Sequence, residues 1–207
     1  MTREQVVRGG LLIGLYLFAC AFGVGSAWML LRSSWLAQSV QVGPWTGSTL
    51  AGSTDAGMYT RGRVALDGLL ALGRDETMYF VARTDSAGQP LLARCHYAIT
   101  GTPPPARWWS ITAYADDMFL FDAPNRRYSL NGSNAHLDAA GMFRLDTSPV
   151  APTTTDGQTL AAWLPTPSGH GNGGLVLTLR LYNPQSVLQA APGNLAGPRI
   201  ERQGACT

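Results

Sequence analysis

The sequence predicts an all-β domain, built as a sandwich or a barrel, that follows a single membrane-spanning helix. Residues 9–31 carry no charged side chain and form a run long enough to cross a bilayer. The chain holds 24 Gly and 13 Pro with only 14% charged residues, which is typical of short strands joined by many turns. Beyond residue 76, about eight short segments alternate apolar and polar side chains, and turn residues separate them.

The N-terminal segment is predicted to be an uncleaved membrane anchor. As a helix, residues 9–31 span ~34 Å at ~1.5 Å per residue, which covers a ~30 Å hydrocarbon core. The alternative is a signal peptide, because Arg3 and Arg8 form a positive n-region and residues 25–27 are small. The apolar run continues past that site, which favours the anchor. Since only Arg32 follows the helix closely, the positive-inside rule places the N-terminus in the cytoplasm and the remaining chain in the periplasm.

Two glycines within the anchor suggest contact with another membrane helix. Gly10 and Gly14 form a small-xxx-small pair, which lets two helix backbones approach closely. Glycine is also common in membrane helices for other reasons. The spacing therefore raises oligomerisation as a hypothesis and leaves the partner open.

The charge pattern indicates a bacterial source and argues against nucleic-acid binding. All fifteen basic residues are Arg, which is typical of a GC-rich genome and points to a bacterial inner membrane for the anchor. The net charge of +2 comes from Arg3, Arg8 and Arg32 against Glu4, because twelve Arg balance twelve acidic residues in the remaining chain. A nucleic-acid-binding protein normally carries a basic stripe. No nucleic-acid partner is expected.

The chain divides into three predicted parts. Residues 1–32 form the cytoplasmic stub and the transmembrane helix, and residues 33–58, rich in Ser, Gly and Thr, form a linker. The extracytoplasmic domain covers residues 59–207. Within it, apolar residues at helical spacing predict one short helix over 64–75. The predicted strands are 79–83, 91–100, 108–114, 118–121, 128–131, 142–146, 160–164 and 175–182.

Two of these strands alternate clearly. In 91–100, Leu91, Ala93, Cys95, Tyr97 and Ile99 are predicted to share one face. In 175–182, four leucines share one face. The opposite face of that second strand carries Val176, Thr178, Arg180 and Tyr182.

A disulfide between Cys95 and Cys206 is predicted. Thiols are oxidised outside the cytoplasm, and Cys20 lies in the middle of the predicted membrane helix. The two remaining cysteines allow one intramolecular pairing. The bond would tie the C-terminal tail, which has little apolar surface of its own, to the strand that contains Cys95.

Three motifs, in this order, resemble a known family. They are RWWSITAY at 107–114, AWLPTP at 162–167 and LRLYNP at 179–184. The chain resembles the bacterial DUF1214 family, and in particular its short, singly anchored members that lack a fused DUF1254 domain. The resemblance implies a β-sandwich of jelly-roll type and a working relationship with a separate DUF1254 protein. It implies no activity.

The candidate ligand-binding residues coincide with these motifs. Aromatic faces beside a guanidinium are suited to a concave site for a sugar or another small molecule. The alternative is that the aromatic residues fill the core and that the arginine pairs with a carboxylate at its edge. The candidates are Trp109, Tyr114, Trp163, Arg180 and Tyr182.

The remaining motifs favour a binding module over an enzyme. The three histidines lie far apart without metal-ligand spacing, so neither a metal nor another cofactor is expected. No Ser stands in a nucleophile elbow, and no pair of carboxylates has a spacing that assigns acid and base roles. The first hypothesis is a non-enzymatic module that binds an envelope protein or a polymer. The second is a carbohydrate-binding or carbohydrate-processing domain whose site is assembled from distant strands.

Overall fold

Three helices and two β-sheets make up the described part of the chain. Helix α1 covers Arg3–Arg32, α2 covers Met58–Leu66 and α3 covers Ser186–Ala190. The stretch Arg8–Leu31 of α1 is long and apolar enough to cross a membrane, by length and composition alone. The structure, a computed structural model, describes residues 3–32, 39–48, 53, 56–66, 72–73, 75–123, 126–153, 162–167, 171 and 173–206.

The strands form one sheet of six and one sheet of four. All neighbouring pairs are antiparallel except β7 (Phe143–Ser148) with β8 (Trp163–Pro165), which are parallel. The six-stranded sheet has the spatial order β1 (Ser39–Val42), β2 (Trp45–Ser48), β3 (Thr77–Ala82), β9 (Leu175–Pro184), β5 (Ala106–Ala115) and β6 (Ser129–Asn131). The four-stranded sheet has the order β10 (Arg199–Arg202), β4 (Tyr97–Gly101), β7 (Phe143–Ser148) and β8 (Trp163–Pro165).

A single hydrophobic core lies where the inner faces of the two sheets contribute alternate residues. From β9 come Leu175, Leu177, Leu179 and Leu181, all buried. The ring of Trp109 on β5 stacks on Phe143 of β7, with the ring centroids 4.7 Å apart, and this contact joins the sheets. The prediction of a mainly β fold with few helices is confirmed, and a sandwich fits the shared core.

The predicted linker, 33–58, is corrected for its described part, because residues 39–48 form the hairpin β1–β2. A two-residue loop with Gly43 at φ 56° closes the hairpin. Trp45 is fully buried, and its Nε1 donates a hydrogen bond to the Pro198 carbonyl oxygen at 2.7 Å. Gly47 is required here, because a Cβ at that position would come within 2.6 Å of the Phe80 ring. The hairpin is therefore anchored in the core.

The boundaries of several predicted elements also differ. The predicted helix over 64–75 begins earlier and covers Met58–Leu66, while residues 67–71 and 74 lie outside the described residues. The predicted strand 91–100 is regular only from Tyr97 onward, although Leu91, Ala93 and Cys95 are buried. Residues 118–121 form a turn in place of a strand, with an isolated bridge between Tyr114 and Leu120. Met118 adopts φ 66° there, which ends the regular pairing.

The predicted disulfide between Cys95 and Cys206 is confirmed. The tail that it holds is more ordered than expected, because β10 pairs with β4 over four residues. Ile200 is fully buried at the centre of β10. The tail is therefore held by backbone hydrogen bonds and one apolar anchor as well as by the covalent bond.

Replacing Cys206 by Ser should destabilise the domain. The bond closes a loop of 111 residues, for which the chain-entropy estimate is about 4–5 kcal/mol at 25 °C. Denaturant unfolding of the full-length protein in detergent, without reductant, measures the loss. Cys20→Ser is the matched control, because Cys20 is a free and exposed thiol, and it should leave the unfolding midpoint unchanged. Equal midpoints for Cys206→Ser and the wild type would contradict the predicted contribution.

Candidate functional site

The outer face of the six-stranded sheet presents polar and aromatic side chains, because these residues alternate with the core residues on β5 and β9. The register places Arg180 between Tyr79 of β3 and Ser110 of β5, and it places Tyr182 beside Trp108. This surface joins two of the sequence motifs. We call it the Arg180 face, and it consists of Trp108, Thr112, Tyr114, Arg180 and Tyr182.

Arg180 is held by two neutral hydroxyl groups. Its Nη2 donates to the Tyr114 hydroxyl at 2.7 Å, and its Nη1 donates to Thr112 Oγ1 at 3.2 Å. The guanidinium carbon lies 5.5 Å from the centroid of the Tyr114 ring, a cation–π contact. Among the described residues, no carboxylate forms an ion pair with Arg180. The guanidinium is therefore positioned by hydroxyls and an aromatic ring, and no described carboxylate neutralises its charge.

Burial on the outer side of β9 changes along the strand. Thr178 is fully buried, and Tyr79, which the register places beside Arg180, is nearly so. The backbone of Leu72 is hydrogen-bonded to Tyr79, so Leu72 lies close to this part of the sheet. Burial, and next the proximity of Tyr182, raises the pKa of Tyr79, which therefore keeps its proton at physiological pH.

The other end of the Arg180 face is open to solvent. Trp108 is 36% exposed, and its ring contacts that of Tyr182 with the centroids 5.1 Å apart. Arg180 and Tyr182 are half-buried. A ligand or partner can therefore reach the guanidinium beside two aromatic rings.

The structure brings Tyr114, Arg180 and Tyr182 together and places the other two sequence candidates elsewhere. Trp109 points to the opposite side of β5, where it is 4% exposed and belongs to the core. A ligand on the Arg180 face does not contact it. Trp163 lies on β8 in the other sheet. It lines a cleft of about 250 Å³ at the edges of β6 and β8.

An ionic cluster on the four-stranded sheet was missed by the sequence analysis. Asp146 is 1% exposed and accepts hydrogen bonds from Nε and Nη2 of Arg144, both at 2.9 Å. Nε2 of His96 lies 2.8 Å from the same carboxylate. The hydrogen bond to Asp146 raises the pKa of Arg144. No local spacing in the sequence links His96 to Asp146. The pairing of β4 with β7 brings the two residues together, and the cluster helps to join these strands.

Comparisons with known proteins identify a family and a fold. A family model described as "Protein of unknown function (DUF1214)" matches residues 76–186, which confirms the resemblance. The crystal structure of the VPA0106 protein from Vibrio parahaemolyticus is similar, with a TM-score of 0.57 and 21% identity over 73% of this chain and 37% of that chain. A comparison with curated proteins finds no match.

A second solved structure, an uncharacterised protein from Burkholderia cenocepacia, has a TM-score of 0.39 and 16% identity over 65% of this chain. The match covers 33% of that protein. The match thus covers about a third of the length of each of these two structural neighbours.

Two adjacent tryptophans should respond differently to truncation. Trp109→Ala removes a buried ring that stacks on Phe143 and should cost about 3–5 kcal/mol of unfolding free energy. Trp108→Ala removes a partly exposed ring and one hydrogen bond to Ser133, so its cost should be much smaller. Denaturant unfolding of both variants measures the difference. Equal losses would mean that Trp108 packs as a core residue and that the Arg180 face is closed.

Proposed function

The chain belongs to the DUF1214 family, and from that membership we propose that it is a membrane-anchored binding module of the bacterial envelope. Its domain holds a partner protein that presents a carboxylate to Arg180. The protein does not need to catalyse a reaction for this role. The jelly-roll connectivity that the family resemblance implies is part of the same proposal.

The observation that carries the proposal is the hydrogen bonding of the Arg180 guanidinium. A guanidinium has five N–H donors, and within the described part of the chain Arg180 donates from Nη2 to Tyr114 and from Nη1 to Thr112. Bidentate binding of a carboxylate is the recognition for which arginine is best suited. Trp108 and Tyr182 supply partly exposed aromatic area beside the charge, which is the composition typical of interaction hot spots.

The anchor and the compartment are supported by two independent features. Apolar side chains on α1, among them Leu12, Phe18 and Phe22, are exposed on the helix, and a bilayer would cover them. The disulfide requires an oxidising compartment, such as the periplasm. We infer an inner-membrane protein with a cytoplasmic N-terminus.

The partner that we propose is a separate DUF1254-type protein. The family resemblance implies this relationship. It also agrees with the longer structural neighbour from Vibrio parahaemolyticus, of which this chain matches only 37%. A separate protein could supply a surface that a longer chain carries within itself. Self-association through Gly10 and Gly14 remains a second proposal for the membrane segment.

A reporter fused after Thr207 tests the topology. A periplasm-active reporter should be active, because Arg3 and Arg8 hold the N-terminus in the cytoplasm. The mature protein should retain residues 1–31 in the membrane fraction, as measured by N-terminal sequencing. A soluble product that begins near Trp28 would show that the segment is a cleaved signal peptide.

Arg180→Ala should abolish partner capture while the domain stays folded. The change removes two hydrogen bonds from a charged donor, a class worth about 1.5–3 kcal/mol each when buried and less at this half-buried position, and it leaves no described carboxylate unpaired. The measurement is chemical crosslinking and mild-detergent affinity capture of the tagged full-length protein from envelopes. Thermal unfolding of the same preparations separates binding from stability.

Arg199→Ala is the control for this experiment, because Arg199 is an exposed arginine on β10 that pairs only with Glu201 at the surface. It should leave both capture and stability unchanged. Capture of the same partner by Arg180→Ala and by the wild type would exclude Arg180 from the interface. Capture of an acidic polymer in place of a protein would contradict the partner class.

A further inference from the structure

A concave surface lies at one edge of each sheet, and β5 separates it from the strand that carries Arg180. It adjoins the Arg180 face at Ser133, whose hydroxyl accepts a hydrogen bond from Trp108 Nε1. Strand β6 is an edge of the six-stranded sheet, and β8 is an edge of the four-stranded sheet. Between these edges opens the cleft of about 250 Å³, which we call the β6–β8 cleft. Its apolar floor consists of Leu130, Leu145 and Leu164, which are buried core residues.

One wall of the β6–β8 cleft is an immobilised indole. Trp163 donates from Nε1 to the carbonyl oxygen of Ser148 at 3.2 Å and to its hydroxyl at 3.1 Å. The indole N–H is therefore hydrogen-bonded to Ser148 of β7. The ring is half-buried and lines the cleft, so it offers apolar aromatic area to a ligand.

The rim of the cleft is polar and largely pre-formed. Asn134 accepts a hydrogen bond from the Asn131 backbone at 2.7 Å and donates one to the Ser129 carbonyl at 3.3 Å. Its amide therefore has a fixed orientation with one N–H and one lone pair still available. His136 on the same rim makes no hydrogen bond to the described part of the chain. Little ordering of the rim is needed when a ligand binds.

The electrostatics of the cleft favour a neutral ligand with hydroxyl groups. Among the described residues no carboxylate lines it, and Arg127, the one charged residue of that lining, already interacts with another group. The amide, hydroxyl and imidazole groups of the lining can both donate and accept hydrogen bonds. Its volume is below the ~300–1,000 Å³ typical of drug-sized ligands, so it accommodates one ring. A sugar ring has C–H groups on one face, which contact the negative face of an indole, and hydroxyls around its edge.

We propose that the β6–β8 cleft binds a single neutral pyranose unit, either as a free sugar or as the end of a glycan. The C–H face of the ring stacks on Trp163 and lies over the leucine floor. Its hydroxyls bond to Asn134 and His136. This site is independent of the partner-binding role proposed for Arg180.

Titration calorimetry and saturation-transfer NMR with the full-length protein test the site. The probes are the methyl glycosides of glucose, galactose and N-acetylglucosamine, in a zwitterionic detergent, because a maltoside head group would compete. At least one probe should bind with a Kd of about 1 mM, as expected of a one-ring ligand. A disaccharide that ends in the same sugar distinguishes a glycan end, which gains affinity, from a free sugar, which does not.

Two variants and two controls link the binding to the cleft. Trp163→Ala and His136→Ala should each weaken binding at least tenfold. His136→Ala carries the test if Trp163→Ala fails to fold, because His136 is exposed. Leu137→Ala, the exposed neighbour outside the cleft lining, and Arg199→Ala, on the exposed side of β10, should both keep the wild-type affinity. The proposal is overturned if none of the three glycosides binds, or if binding is unchanged in His136→Ala.

Discussion

The alternation of side chains along β9 is the constraint on which both the core and the Arg180 face depend. β9 is paired on both sides, with β3 and with β5, so its register fixes the positions of three strands at once. Its leucines contribute to the core, and the intervening residues therefore face outward. A slip of one residue would bury Arg180 and expose four leucines. The geometry of the site is thus inseparable from the stability of the sheet.

The chain termini of the domain close the sandwich in different ways. The hairpin β1–β2 adds to the six-stranded sheet, while β10 adds to the four-stranded sheet. Trp45 and Pro198 connect these additions through a hydrogen bond from the indole to the carbonyl. A Cβ at Gly197 would come within 2.9 Å of the Trp45 ring, so a glycine there permits the close approach. The disulfide then secures the last residues beyond β10.

Sequence patterns predicted the long central strands well and the short peripheral ones poorly. Residues 108–114 and 175–182 alternate over enough positions to exclude the periodicity of a helix. The hairpin at 39–48 has one fully buried residue, Trp45, and two partly buried valines, Val40 and Val42, among Ser, Gly and Thr, so its composition resembles a linker. Ile200 is the only apolar anchor of β10. Both elements depend on pairing with distant strands, which local patterns do not encode.

The sequence predicted which residues of the candidate site share a face of the sheet. It did not predict how deeply each of them is buried. Alternation correctly placed Arg180 and Tyr182 on the face opposite the leucines. How deeply each residue on that face is buried depends on the other parts of the chain that pack against it. Thr178 and Arg180 are two residues apart on the same face, yet one is fully buried and the other is half-exposed. Contacts from outside the strand contribute to burial on this face, as the hydrogen bond between the backbone of Leu72 and Tyr79 shows. A sequence motif can therefore identify a binding face, whereas the covering segments decide which of its residues a ligand can reach.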